Sequence, residues 1–308
     1  MERFMTSLHD IIDSTLQNKD VIMKQQDIGV LRVSGLDSKK FLQGQTTCDM
    51  NKLSQDNGLY GAICSIKGRI ISSFYIVQRN DDVLMIMAKD LVEKTLLHLK
   101  KYAVFFKTTL TDEQDHFAVY TRLVNQKIED DSNVASSIFT TTQDNDIITL
   151  TISQEPLEIQ FLITSAKAEI EEKNSELAAL AILAARPLIN LEQSETILPQ
   201  WLNMQSTGGI SFTKGCYTGQ EIVARMQYKG KSKKQLALVT WQGNLDTTKD
   251  IVDEQGKNIG QIFDFTYIQD THYAQVILNI DPSDAEKILL DNQEIILLPL
   301  PYSLDSKK

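Results

Sequence analysis

Lys214-Gly215-Cys216-Tyr217-Thr218-Gly219-Gln220-Glu221 sets a cysteine in surroundings that favour its thiolate. Gly215 and Gly219 permit a tight turn around the sulfur, because glycine adopts positive φ without steric cost. Thr218 and Glu221 have the spacing of a capping box, and Ile222, Val223 and Met226 continue as the apolar stripe of a short helix. Cys216 is then expected just ahead of a helix N-terminus, where the macrodipole and nearby Lys214 both stabilise negative charge and lower a thiol pKa. The competing reading of a lone cysteine is a small core residue. For Glu221 it is a helix cap and nothing more.

The remaining chemistry-bearing residues narrow the classes. Cys48, Cys64 and Cys216 are an odd number, far apart and without C-x-x-C spacing, which argues against a disulfide framework or a zinc site. A cysteine hydrolase would need a histidine partner, and His9, His98, His116 and His272 carry no local signature. No phosphate-cradling glycine loop is present. The net charge of −10 opposes a surface that coats nucleic acid. Against that balance, Arg225, Lys229, Lys231, Lys233 and Lys234 form a basic strip without acidic residues, readable as a solvated linker or as a landing strip for an anion. The first twenty residues mix charges among apolar positions, so no signal peptide or membrane span is expected and a cytoplasmic location is.

At 308 residues the chain exceeds one ordinary core. Apolar alternation predicts a strand over Gly29 to Gly35, then a helix capped by Asp37 or Ser38 that carries Phe41 and Leu42. Leu59 to Ile66, Ile70 to Gln78 and Val83 to Met87 predict an antiparallel meander. Leu91 to Tyr102 has helical spacing, and Phe105 to Leu110 returns to extended structure. Further strands are expected at Phe117 to Thr121, Ile147 to Ile152 and Leu157 to Ile163, with an exposed loop over Glu129 to Asp146. Ser165 to Ala185, rich in Ala, Glu and Leu, predicts the longest helix, stopped by Pro187. Past the basic strip, Gln235 to Trp241, Asn258 to Phe265, His272 to Leu278 and Glu294 to Leu298 suggest a small β-barrel, with a boundary near Ser232.

Taken together, these blocks resemble the YgfZ family of folate-binding proteins, within the aminomethyltransferase (glycine-cleavage T-protein) fold superfamily. The resemblance runs from about Gln26 to Tyr302. Its most specific part is Gly208-Gly209-Ile210-Ser211-Phe212 leading into the octapeptide and Val223-Ala224-Arg225. Supporting matches are Phe41-Leu42-Gln43-Gly44-Gln45-Thr46, Lys67-Gly68-Arg69, Lys100-Lys101-Tyr102-Ala103-Val104-Phe105, Leu198-Pro199-Gln200 and Pro299-Leu300-Pro301-Tyr302.

The resemblance implies an α+β ring of three subdomains: two interwoven α+β units over 1–232 and a C-terminal antiparallel β-barrel over 233–308, around a central channel for tetrahydrofolate or a one-carbon derivative. It implies a role in maintaining iron-sulfur enzymes, including those that methylthiolate tRNA, with Cys216 as the hallmark residue beside Lys214, Gly215, Tyr217, Gly219, Gln220, Glu221 and Arg225. Two departures bear on the ligand. Ile70-Ile71-Ser72-Ser73-Phe74-Tyr75 lacks the carboxylate that the transferases use against the folate nitrogen, and serine or phenylalanine cannot replace it as general acid/base. Ile28 and Leu177 match two tryptophans that flank folate in some members, offering apolar contact without ring stacking.

The leading expectation is therefore a folate-binding accessory factor, not a classical enzyme, with iron-sulfur enzymes or cluster-assembly proteins as partners. It should be monomeric, without a membrane partner or direct tRNA binding. The strip from Arg225 to Lys234 could receive the anionic folate tail. The alternative is a folate-dependent one-carbon transferase.

Overall fold

The computed structural model describes residues 12–13, 15–17, 19–124, 137–228, 233–284 and 287–304. Three antiparallel sheets carry the fold. The first contains β2 (Ile28–Ser34), β3 (Leu59–Cys64), β4 (Ile70–Arg79), β5 (Asp82–Ala88) and β6 (Thr109–Asp112), in the spatial order β3-β4-β5-β2-β6. Its central strands are covered on both faces, and the two-residue period of a strand divides their side chains between two cores. Phe74 and Ile76 of β4 join Phe41, Leu42 and Leu99 beneath α1 (Ser38–Gln43) and α2 (Val92–Ala103). Tyr75 and Val77 face the opposite way, into the core shared with the second sheet.

That second sheet comprises β1 (Val21–Lys24), β7 (Phe117–Val124), β8 (Thr141–Asp144), β9 (Ile147–Ser153) and β10 (Glu158–Ser165), ordered β1-β7-β10-β9-β8. The third contains β11 (Gln235–Gln242), β12 (Ile251–Val252), β13 (Asn258–Ile268), β14 (Thr271–Leu278), β15 (Leu289–Leu290), β16 (Gln293–Glu294) and β17 (Ile296–Leu298). Its order is β16-β15-β12-β13-β14-β11-β17, and only Ile295 separates the two edge strands in the chain. The sheet must curl until its edges approach, which makes a nearly closed barrel. Along β11, Val239 and Trp241 fill the barrel while Leu236 and Leu238 dock it on the main core. The result is the expected α+β architecture with a C-terminal antiparallel barrel.

Three local expectations are corrected. Ser165 to Ala185 is not the longest helix: Lys173 bridges to Ile22, and only Ser175–Ala184 winds, as a 3₁₀ segment. Asn174 and Ala185 bound it in the left-handed conformation, and five of its side chains are buried, so tertiary packing overrides the helix propensity of Ala and Leu. The twelve-residue α2 is the longest helix among the described residues. Extended structure after α2 begins at Thr109 rather than Phe105, because Phe106 N–H turns back to the Ala103 carbonyl. The stretch expected as a loop from Glu129 to Asp146 contains β8, while its residues up to 136 lie outside those described. Among the described residues no helix is long and apolar enough to cross a membrane.

Candidate functional site

The octapeptide lies against the turn between β3 and β4. α3 (Gln220–Tyr228) begins where the Gly219 carbonyl accepts from Val223 N–H at 3.3 Å. Gly219 has φ of +83°, and a Cβ there would stand 2.4 Å from the Ser65 carbonyl oxygen and 3.1 Å from Cys64 Cβ. Across the contact, Gly68 (φ +69°) leaves room for Ile222, whose Cβ would be 2.9 Å from any added carbon. The Lys67-Gly68-Arg69 turn and the cysteine motif thus approach backbone to backbone, each through a glycine. The start of α3 also corrects the capping box. Gly219, not Thr218, is the cap, and Glu221 is an exposed second helical residue, placed to face the positive helix end. Gly215 lies outside the left-handed region and has nothing within 4 Å of an added Cβ, so the turn does not require it to be glycine.

Lys214 has a different role from the one expected. Its Nζ turns inward and donates to the Thr46 carbonyl at 2.6 Å and the Cys48 carbonyl at 2.8 Å, beside the Tyr217 ring at 5.1 Å. It clamps the motif to the Phe41-to-Thr46 block instead of serving as counter-ion to Cys216. Further ties come from Thr47 Oγ1 to the Gly209 carbonyl and from Gln200 Nε2 to the Val223 carbonyl. Burial holds the Lys214 ammonium down to about 8. Since the unfolded chain then binds more protons between pH 8 and 10.5, this group makes stability rise with pH across that window. Lys214→Met is expected to cost roughly 2–4 kcal/mol, by stripping the buried Thr46 carbonyl of its donor and leaving the Cys48 carbonyl only the longer bond from Thr46 Oγ1, and to flatten that rise. Denaturant midpoints of both proteins at pH 7.5 and 9.5 check it. The buried thiols act oppositely above pH 9 in both proteins, so the difference between them isolates Lys214.

The three thiols divide sharply. Cys48 and Cys64 are buried, and burial raises both, Cys64 to about 12. Cys216 is exposed. Tyr217 turns inward, where burial followed by the Cys64 and Cys48 thiols raises its hydroxyl. Gln220 is half-buried and Arg225 exposed on α3. Of the basic strip, Lys229 and Lys231 lie outside the described residues. Lys234 packs its Nζ 4.2 Å from the centroid of the Trp201 ring, which also meets the Arg69 guanidinium at 4.9 Å.

A separate cavity of about 810 Å³ opens where the first two sheets, the 3₁₀ segment and the barrel meet. Ile28 lines it. Leu177 does not: it is buried in the main core, and Ala178, Ala181 and Ile182 face the cavity instead. None of the described residues from Lys214 to Lys234 lines it, so the Cys216 thiol, Arg225, Lys233 and Lys234 stand apart from this space. On β4, Ser73 is structural, donating to the Pro187 carbonyl and accepting from Ile189 N–H, and Tyr75 reaches the cavity wall.

Sequence reasoning missed three polar residues on this wall: Arg186, Asp264 and Gln275. The only signals were an arginine inside an otherwise apolar stretch and an aspartate within a strand. A bulge at Phe263 sets Asp264 opposite Gln275 on the cavity wall, where the residue stays exposed and its Oδ1 accepts from Phe265 N–H. Partial desolvation there raises its carboxyl. Among the described residues no group of three His, Cys, Asp or Glu is placed to hold a metal ion.

Relatives of known name match this arrangement along the chain. The tRNA-modifying protein YgfZ of Colwellia psychrerythraea is 34% identical over 228 residues, covering 70% of each chain. The chain belongs to the YgfZ family. YgfZ of Escherichia coli O157:H7 is 32% identical over 311 residues, covering 92% of this chain and 94% of its own. YgfZ of Vibrio atlanticus is 32% identical over 302 residues, covering 91% and 92%. No family model matches. Among solved structures, the glycine cleavage system aminomethyltransferase T of Bartonella henselae aligns with a TM-score of 0.64 at 10% identity, over 92% of this chain and 86% of that one. This likeness is one of fold.

Proposed function

We propose that the protein is an accessory factor for iron-sulfur enzymes, including those that methylthiolate tRNA, with a reduced folate in the cavity and the Cys216 thiol as its reactive group. The observation that carries this reading is the separation of a ligand-sized cavity from a single exposed thiol on a loop fixed by the Gly219–Gly68 contact. The relatives are tRNA-modifying proteins by name, which supports the tRNA connection.

The cavity suits the ligand. Its volume lies within the range of small-molecule sites. Tyr75, Phe161 and Phe263 supply apolar surface for a flat ring, and Arg186 Nε and Gln275 Oε1 are buried without protein partners. Ile28, but not Leu177, belongs to this contact set. Arg225, Lys233 and Lys234 are better suited to an acidic partner surface than to the folate tail, since they do not line the cavity. The same reading divides the chain near Ser232 into a folate-binding T-protein-like region, 1–232, and the barrel, 233–308, which closes the cavity with Phe263, Asp264 and Gln275, and it takes the protein as a cytoplasmic monomer with protein partners.

Calorimetric titration with tetrahydrofolate and folinic acid, under reducing conditions, tests the ligand. Saturable binding of equal strength is expected for wild type and Cys216→Ala, because Cys216 is not on the cavity wall. No binding by wild type would remove folate from the reading. The raised Asp264 carboxyl keeps a second reading in view, a one-carbon transferase in which it moves a proton; folate-dependent turnover of a methylated amine distinguishes the two.

A further inference from the structure

Arg186 carries its guanidinium into the interior, where the residue is only 5% exposed. Among the described residues no carboxylate pairs with it. Its Nη1 donates to the Ile152 carbonyl at 3.3 Å and the Ala184 carbonyl at 3.2 Å, and its Cζ lies 5.0 Å from the centroid of the Tyr302 ring. The Nε–H has no acceptor, on a residue that borders the cavity. A buried cation held by neutral groups alone is costly, and an oxygen supplied from the cavity would offset that cost.

Gln275 has the complementary defect. It is 3% exposed, its Nε2 donates to the Ile182 carbonyl at 2.8 Å, and its Oε1 has no donor. Arg186 and Gln275 therefore hold carbonyls two residues apart on the same 3₁₀ segment. Asp264 is the cross-strand partner of Gln275, and both border the cavity. One wall thus combines an unpaired donor and an unpaired acceptor, both just under its surface, with a carboxylate exposed on it.

We propose that Arg186, Gln275 and Asp264 read the amide-like ring edge of the cavity's ligand: a ring carbonyl oxygen accepts from Arg186, while neighbouring N–H groups donate to Gln275 and Asp264. The inference rests on the cavity being a folate site, and the aminopyrimidinone edge of a reduced folate has this alternation of acceptor and donors. A glutamate tail fits the wall less well. Its only donor is one amide N–H, its carboxylates are acceptors that cannot serve Gln275 Oε1, and they would face Asp264, Asp27 and Asp90 against the single lysine of the wall, Lys89.

The test titrates full-length wild type, Arg186→Met and Asp264→Asn with folinic acid, with 6,7-dimethyltetrahydropterin, which has the ring and no tail, and with p-aminobenzoylglutamate, which has the tail and no pterin. Losing a hydrogen bond to a charged group should weaken folinic acid and the pterin about tenfold or more in Arg186→Met. Asp264→Asn should weaken both in the same direction, and p-aminobenzoylglutamate should bind all three proteins alike. Asp264 lies on the cavity surface, so its variant keeps the test decisive if Arg186→Met does not fold. Unchanged folinic acid binding in the variants that fold, with wild type binding normally, overturns the inference alone. A loss confined to p-aminobenzoylglutamate also overturns it, by assigning Arg186 to the tail. Failure of wild type to bind folinic acid overturns the folate reading and this inference with it.

Discussion

Gly219→Ala is expected to destabilise the protein by roughly 2–4 kcal/mol, whereas Gly215→Ala, on the other side of Cys216 in the same motif, should stay within about 0.5 kcal/mol. The difference comes from what a methyl group meets. At Gly219 it is forced into a left-handed backbone and placed 2.4 Å from the Ser65 carbonyl, which is itself fixed in the β3–β4 turn by accepting from Gly68 N–H. Neither backbone can yield unless the motif lifts off the turn. At Gly215 the methyl meets open space. Thermal unfolding of both variants checks the contrast. Equal melting temperatures would show that the Gly219–Gly68 contact does not fix the loop.

Cys216→Ala is expected to have an all-or-none effect on thiol chemistry and almost none on the fold. A replacement at an exposed site leaves no cavity. Burial keeps Cys48 and Cys64 protonated and out of reach. In the folded wild type one thiol should react rapidly with an aromatic disulfide reagent, and two more only on unfolding. The folded variant should release none. Rapid reaction of a second thiol in the native protein would show that Cys48 or Cys64 is reachable and that Cys216 is not the sole candidate.

The strands of the first sheet were readable because β2 to β5 alternate or run apolar between Gly, Asn and Asp turns, and the barrel was readable from short strands at regular spacing. β1 and β8 were not, since Val21–Lys24 is too short to show a period and Thr141–Asp144 is polar and built by pairing with β9. The 3₁₀ segment was misread for the opposite reason: its Ala and Leu content states a local preference that burial outweighs. At the site, Cys216 and the two glycines stood out in the sequence, but their partners did not. Lys214 reaches carbonyls 168 and 166 positions away, a contact that no local pattern reports. The cavity wall was legible at Ile28 and illegible at Arg186, Asp264 and Gln275, which the fold gathers from the end of the 3₁₀ segment and two barrel strands.

The most direct measurement of the central proposal is the methylthio content of tRNA, by mass spectrometry, in cells whose only copy of this protein is wild type, Cys216→Ala or absent, with the variant's abundance and folate binding confirmed equal to wild type. Hypomodification in the variant as deep as in cells lacking the protein is expected, because the cavity alone cannot replace the exposed thiol. Wild-type methylthiolation in Cys216→Ala cells, while cells lacking the protein are hypomodified, would contradict the assignment of the reactive group to Cys216.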